Sequence, residues 1–345
     1  MSDKINLHRR QMFGVAATFG VAHLSLIDVA NAQAATAAPT SGPASSASFG
    51  PLKQIDAGVL NVGYAEAGPA NGPVVFLLHG WPYDIHTYVD VAPLLAAAGY
   101  RVIVPHVRGY GSTRFLSADT PRNGQQAALA LDTLALMDAL KIDKAVMAGC
   151  DWGARTACVM AALYPERTKA LVSVSGYLMV NLEAGKQPLP PEAELKWWYQ
   201  YYLSTERGRK GYDLNRHAFA RLIWQTASPQ WRFDDATFDR SAKALDNPDH
   251  TEIAVHNYRW RLGLAAGEAK YDAIEARLAT APRITVPTIT MEGDANGAPH
   301  PEPASYAGKF TGRYEHRNLR GGIGHNLPQE APREFAQAVI DVSKG

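Results

Sequence analysis

The stretch Lys144-Ala145-Val146-Met147-Ala148-Gly149-Cys150-Asp151-Trp152-Gly153-Ala154-Arg155 decides the fold. Its first five residues form a short continuous run suited to a strand buried on both faces. The residues after Gly153 begin a helix. Between them lies Gly-x-Asp-x-Gly, the spacing of a sharp strand-to-helix turn that lifts one side chain above the end of a sheet. Such a turn needs small residues, because strand and helix approach closely. The raised residue here is Asp151. A carboxylate is ionised at neutral pH and can attack an electrophilic carbon without a base to deprotonate it. The simpler alternative, that Asp151 only caps the helix, does not require two flanking glycines. Cys150, a thiol nucleophile by type, reads as core packing because a side chain there points into the sheet, and Cys158, on the following helix, has no evident chemical role.

Outward from this turn the same rhythm repeats. Val59–Ala65, Val74–Leu78, Val102–Val104, Ala170–Ser175 and Ile284–Met291 read as strands, and Gln125–Leu140 and Glu330–Val342 as helices. Strands alternating with helices predict a mostly parallel, doubly wound α/β sheet. From about Asn181 to Gly267 strand character vanishes, aromatics crowd and helical spacing dominates. Residues 182–267 are therefore expected to form an inserted helical cap between core segments 51–181 and 268–345.

The N-terminus reads differently. Residues 1–34 carry Arg9-Arg10, a weakly apolar stretch and small residues at Ala-x-Ala spacing, the layout of a twin-arginine-like export signal. Residues 35–50, rich in Ala, Ser and Pro, read as a linker. The expectation is a periplasmic or secreted protein with no stable membrane anchor once the signal is removed.

Composition narrows the function. The 345 residues hold 34 Lys+Arg against 33 Asp+Glu, so there is no basic excess to recruit nucleic acid. Two cysteines exclude a disulfide scaffold and a Cys-rich zinc site. No cluster has metal-ligand spacing, so neither metal nor cofactor is expected.

Two further motifs complete a site. His79-Gly80-Trp81-Pro82 follows the strand at 74–78 and is placed to offer the Trp81 N–H to an oxyanion; the Trp152 N–H, just after Asp151, is the second donor. His79 itself reads as structural. Gly321-Gly322-Ile323-Gly324-His325-Asn326 precedes the last helix, where this architecture holds its base. An acid should follow the strand at 284–291. Asp294 is the first choice, with a plain turn residue as its alternative.

His79-Gly80-Trp81-Pro82, Arg108-Gly109-Tyr110-Gly111, Asp151-Trp152-Gly153-Ala154 and Gly324-His325-Asn326 together resemble the α/β-hydrolase fold, within it the epoxide hydrolase and haloalkane dehalogenase group. The cap resembles the epoxide hydrolases more closely. Trp198-Tyr199-Gln200-Tyr201-Tyr202 and Asn257-Tyr258-Arg259 match the segments that carry that group's two ring-opening tyrosines. The resemblance implies that Tyr199 and Tyr258 donate to an epoxide oxygen, Asp151 forms an ester, and His325 activates water. It also puts the acid at Asn296, two residues beyond Asp294, so either residue is a candidate to orient His325. Arg155, one helical turn after Asp151, reads as structural. Fluoroacetate dehalogenases carry a substrate-binding arginine there, but with a second arginine where this chain has Trp152.

The expected substrate is a small, apolar electrophile, in keeping with an aromatic cap. The alternatives are a haloalkane or haloacid dehalogenase, with Trp81 or Trp152 N–H groups holding halide, and a catalytically weak ligand-binding module.

Overall fold

The structure, a computed structural model, describes residues 48–344. The expected export signal and nearly all of the linker lie outside the described residues. Nine strands, β1 (Lys53–Ala57), β2 (Leu60–Ala67), β3 (Val74–Leu78), β4 (Arg101–Pro105), β5 (Arg114–Phe115), β6 (Ala145–Gly149), β7 (Thr168–Val174), β8 (Thr288–Gly293) and β9 (Tyr314–Leu319), form one sheet among these residues. The order is β1-β2-β4-β3-β6-β7-β8-β9, with β5 beside β2. The β1–β2, β2–β4 and β2–β5 pairs are antiparallel and the rest parallel.

The central strands alternate strictly. Phe76 and Leu78 of β3 and Met147 of β6 face one core. Val75, Leu77, Val146 and Ala148 face the other. Helices α1 (Val91–Ala97), α2 (Gln126–Ala139) and α3 (Trp152–Leu163) lie between early strands. α2 and α3 bury Met137, Ala157 and Met160 in the first core. Val91 and Leu95 of α1 join Phe335 and Val339 in the second. Burying each such aliphatic or phenyl side chain is worth roughly 1.5–3 kcal/mol over exposure.

Between β7 and β8 the chain runs through α4 (Pro191–Lys196), α5 (Trp198–Ser204), α6 (Glu206–Leu214), α7 (Arg216–Ala227), α8 (Asp235–Ala242) and α9 (His250–Arg261). No strand interrupts them among the described residues. A third, aromatic-rich core joins this insertion to the loops above the sheet through Trp81, Tyr110, Trp152, Tyr212, Phe219, Trp224 and Tyr258. The chain then returns through α10 (Asp272–Ala279), β8, α11 (Pro303–Tyr306), β9, α12 (Leu327–Glu330) and α13 (Pro332–Ser343).

Two local readings shift. The strand expected over 284–291 starts at Thr288. Pro287 has no N–H to give a ladder, and Ile284 keeps only an isolated bridge to Phe310. Strand β9, Tyr-Glu-His-Arg-Asn-Leu, carries no apolar run because it is the half-exposed sheet edge. Among the described residues no helix is long and apolar enough to cross a membrane.

Candidate active site

Asp151 sits between β6 and α3 with φ 55° and ψ −120°, a conformation few non-glycine residues adopt. The turn is held by contact. A Cβ on Gly153 would lie 1.8 Å from the Leu78 carbonyl oxygen of β3. Strain of this kind persists only where the surroundings impose it, and it gathers at functional positions.

The Trp81 N–H donates to Asp151 Oδ1 at 2.8 Å. Gly80 permits this approach, since a Cβ there would meet the Asp151 carboxylate at 2.4 Å. The Trp152 N–H also faces the carboxylate. Both expected oxyanion donors thus meet at one oxygen-bearing group. His325 Nε2 stands 3.6 Å from Asp151 Oδ2. Burial opposes the Asp151 charge, but the facing His325 and its charge, then Arg155 and the Trp152 N–H, outweigh it and hold the carboxyl below its usual range. Burial likewise opposes charging His325, yet Asp151, with Glu292 and Glu330 behind it, raises the imidazole above its ordinary value.

A cavity of about 100 Å³, partly open to solvent, is lined by Asp151, His325, Trp81 and Tyr199 among others. Tyr199 on α5 and Tyr258 on α9 have ring centroids 5.4 Å apart, and each lies 5.1 Å from Trp81. Burial and the Asp151 charge push Tyr199 up to about 12. Burial, Tyr199 and Asp151 push Tyr258 well above a free phenol. Both are neutral donors at pH 7. The residues expected from sequence to attack, activate water and donate protons are thus brought to one place.

The acid residues are not. His325 Nδ1 is buried and has no hydrogen-bond partner. Asp294 is exposed and turns to the glycine loop, where its carboxylate accepts from the Gly321, Gly322 and Ile323 N–H groups at 2.9–3.1 Å. Positive φ at Gly321 (109°) and Gly322 (83°) lets those donors converge, a backbone anion nest. Asn296 donates through Nδ2 to Glu292 Oε1 at 2.8 Å and accepts from the Ala298 N–H. The expectation that Asp294 or Asn296 bonds His325 directly is corrected by this geometry. The direct bond is missing because the β8 loop turns Asp294 outward and commits Asn296 to Glu292.

Three residues escaped the sequence reading. Glu292, next to last in β8, is 8% exposed, and its charge reaches His325. Glu330 accepts from the Gly324 and Asn326 N–H groups and from Ser228 Oγ. Ser228, just beyond α7, in turn accepts from the His325 N–H at 2.9 Å. Only the position of Glu292 at the end of an apolar strand could have flagged any of them.

The remaining groups are accounted for. His79 is fully buried, with Nε2 accepting from the Val107 N–H and Nδ1 beside the Gly80 carbonyl. The Cys150 thiol is buried and pushed well up by that burial. No group of three or more His, Cys, Asp or Glu among the described residues could hold a metal.

Comparison with known proteins agrees with this architecture. Residues 73–214 match the α/β hydrolase fold family model. A crystal structure of a candidate epoxide hydrolase from Klebsiella pneumoniae is 63% identical, with a TM-score of 0.85, covering 85% of this chain and 97% of that one. Epoxide hydrolase 3 of Siraitia grosvenorii is 38% identical over 109 residues, 32% of this chain and 34% of that protein. A fluoroacetate dehalogenase of a Burkholderia species is 35% identical over 211 residues, 60% of this chain and 63% of that protein. The chain thus spans about a third of the length of the first of these curated relatives and less than two thirds of the second. With an aspartate elbow on a parallel sheet, two backbone donors at its carboxylate, a facing histidine and a near full-length structural match at 63% identity, the chain is an enzyme of the α/β-hydrolase fold family.

Proposed function

We propose that the enzyme hydrolyses an epoxide to a vicinal diol through an ester on Asp151. The observation that carries this reading is the pair of neutral phenols, half-buried Tyr199 and buried Tyr258, packed over Trp81 beside the elbow. Asp151 Oδ2 forms a bond to the epoxide carbon, and that carbon's bond to oxygen breaks. A phenol proton passes to the departing oxygen, and water later restores it. His325 Nε2 then takes a proton from water, and hydroxide adds to the ester carbonyl. That carbonyl oxygen is Oδ1, already bonded to the Trp81 N–H. On collapse the ester C–O bond breaks, the new acid's proton passes to the departing alkoxide to give diol and carboxylate, and the imidazolium proton returns through water to the tyrosinate.

In this scheme Glu292 supports the imidazolium at a distance, and Asp294 holds the loop in place. Glu292→Gln is expected to slow ester hydrolysis by about tenfold, because it removes one charge that favours the charged base. Asp294→Asn is expected to lower the melting temperature more than it lowers the hydrolysis rate. The reverse ranking in single-turnover assays would reassign the acid to Asp294.

Tyr199→Phe and Tyr258→Phe separate ring opening from dehalogenation, since a leaving halide needs no proton. Each is expected to slow epoxide opening roughly 10²-fold, the usual worth of a general acid, and to leave haloalkane cleavage nearly unchanged. Single-turnover alkylation by matched substrates reads this directly. Epoxide opening insensitive to both changes would bring the dehalogenase reading forward. Against that reading, the Trp81 indole N–H is already donated to Tyr212 Oη at 2.9 Å.

The reaction also alters its own base. The Asp151 charge helps hold the His325 pKa up in the resting enzyme. The ester is neutral, so that support vanishes in the intermediate and the pKa falls. Water activation needs neutral imidazole, so hydrolysis should rise with pH through an inflection below the His325 pKa of the free enzyme. Adduct decay followed against pH, beside an NMR titration of His325, checks this. An inflection at or above the free-enzyme value would refute it.

A further inference from the structure

A buried relay of hydrogen bonds joins the inserted helices to the loop that carries the Trp81 N–H. The Trp81 indole Nε1 donates to Tyr212 Oη of α6 at 2.9 Å. Tyr212 Oη lies 2.7 Å from Nε2 of His250, the first residue of α9. His250 Nδ1 lies 3.0 Å from the Gly109 carbonyl oxygen, in the loop after β4 of the sheet. All three side chains are at most 2% exposed. Gly109, at φ 78°, admits this approach; a Cβ there would stand 2.8 Å from Ile253 and 3.4 Å from His250 Cα.

Chemistry fixes the sense of every bond. A carbonyl only accepts, so His250 Nδ1 carries the proton. Burial pulls His250 down to about 3, so at neutral pH its Nε2 is bare and accepts the Tyr212 hydroxyl proton. An indole N–H only donates, and it takes a lone pair of the same hydroxyl. Reversing any member would leave a buried polar atom unpaired, which costs more than a hydrogen bond gains. Aromatic rings close around the relay: Tyr110 meets His250 edge-on at 4.6 Å, and Phe219 meets Tyr212 at 5.1 Å.

The place where the relay ends gives it a role. Trp81 is the residue whose main-chain N–H meets Asp151 Oδ1 at 2.8 Å. The turn around it is closed by the Tyr83 N–H on the Gly80 carbonyl at 3.0 Å, which leaves the Trp81 N–H unengaged by the turn itself. The indole is pinned at its far end, so the Trp81 backbone cannot rotate without drawing Nε1 off Tyr212. Neither Tyr212 nor His250 lines the cavity at Asp151.

We propose that Tyr212 and His250 are positioning residues: their one-way relay to Gly109 clamps the Trp81 indole and so fixes the Trp81 N–H against Asp151 Oδ1. The oxyanion donor is thus completed by the helical insertion, not by the sheet and its loops alone. The clamp stands on its own geometry; its kinetic effect rests on the ester mechanism proposed above. In that mechanism Oδ1 gains charge when hydroxide adds to the ester. A slackened Trp81 N–H therefore slows hydrolysis. It does not hinder attack by the carboxylate, which gives up charge as the ester forms.

The test has two arms, both on the full chain. Nuclear magnetic resonance reads the clamp without substrate. His250, assigned by the loss of its signals in His250→Gln, should show the Nδ1–H tautomer and no titration from about pH 5 to 8. In Tyr212→Phe the Trp81 main-chain N–H should exchange with solvent roughly tenfold faster, the worth of one hydrogen bond. An Nε2–H tautomer, a titrating His250 or an unchanged exchange rate overturns the proposal. The second arm follows single turnovers of an epoxide. Tyr212→Phe should slow decay of the Asp151 ester roughly tenfold, part of the roughly 10²–10³ lost with a whole oxyanion donor, and leave ester formation unchanged. His250→Leu should do the same. His250→Gln offers Oε1 to the Tyr212 hydroxyl and should restore most of the rate. Equal slowing of both steps, the mark of a loosened insertion, overturns the proposal, and so does unchanged ester decay in Tyr212→Phe. If the parent chain forms no ester with any epoxide, the epoxide reading falls, and the tautomer and exchange measurements decide the clamp.

Discussion

Asp151→Ala is expected to abolish turnover, a loss of at least about 10⁴-fold, because the ester cannot form without its carboxylate. No neighbour replaces it. The Cys150 thiol is buried, with its pKa pushed up and its Sγ on the His325 carbonyl. Glu330 is engaged with Ser228 and two loop N–H groups. The fold should survive. The strained backbone is imposed by β3, β6 and α3 rather than by the side chain, and the freed Trp81 N–H faces the cavity. Melting temperature and intact mass after exposure to substrate are the measurements. Full hydrolysis by this variant would end the covalent reading.

His325→Gln should divide the reaction in two. Alkylation needs Asp151 and the tyrosines but no base, so it should proceed within a few-fold of the parent. Hydrolysis loses its general base and should slow by roughly 10²–10⁴-fold. The intermediate then accumulates, and intact mass should increase by the mass of one substrate molecule, localised by digestion to the peptide containing Asp151. The change is conservative in size, and the main-chain bonds from position 325 to Ser228 do not depend on the side chain. Steady consumption of substrate with no adduct would remove His325 from the second step.

The sheet and the aspartate turn at its end were legible because burial on both faces leaves a plain trace. Val74–Leu78 and Ala145–Gly149 can be apolar throughout only in a covered parallel sheet. The glycines around Asp151 mark a turn where backbone touches backbone. His325 was legible by place, between a glycine loop and the last helix. The acid loop was not, because sequence spacing cannot say which way a side chain leaves a turn. Asp294 leaves outward to a nest of N–H groups. Glu292, hidden as the last polar letter of a strand, leaves inward. Strand β9 was missed because an edge strand need not be apolar.

Ser228 gives the enzyme a mechanical interlock. It belongs to the helical insertion, yet its hydroxyl receives the His325 N–H and gives its own proton to Glu330. Swinging that insertion aside to free product would pull on the bonds that hold the water-activating imidazole. On the proposed mechanism, release of the diol by that motion and activation of water would compete for the same two bonds, so the arrangement that lets product leave is one in which the imidazole has lost its main-chain anchor.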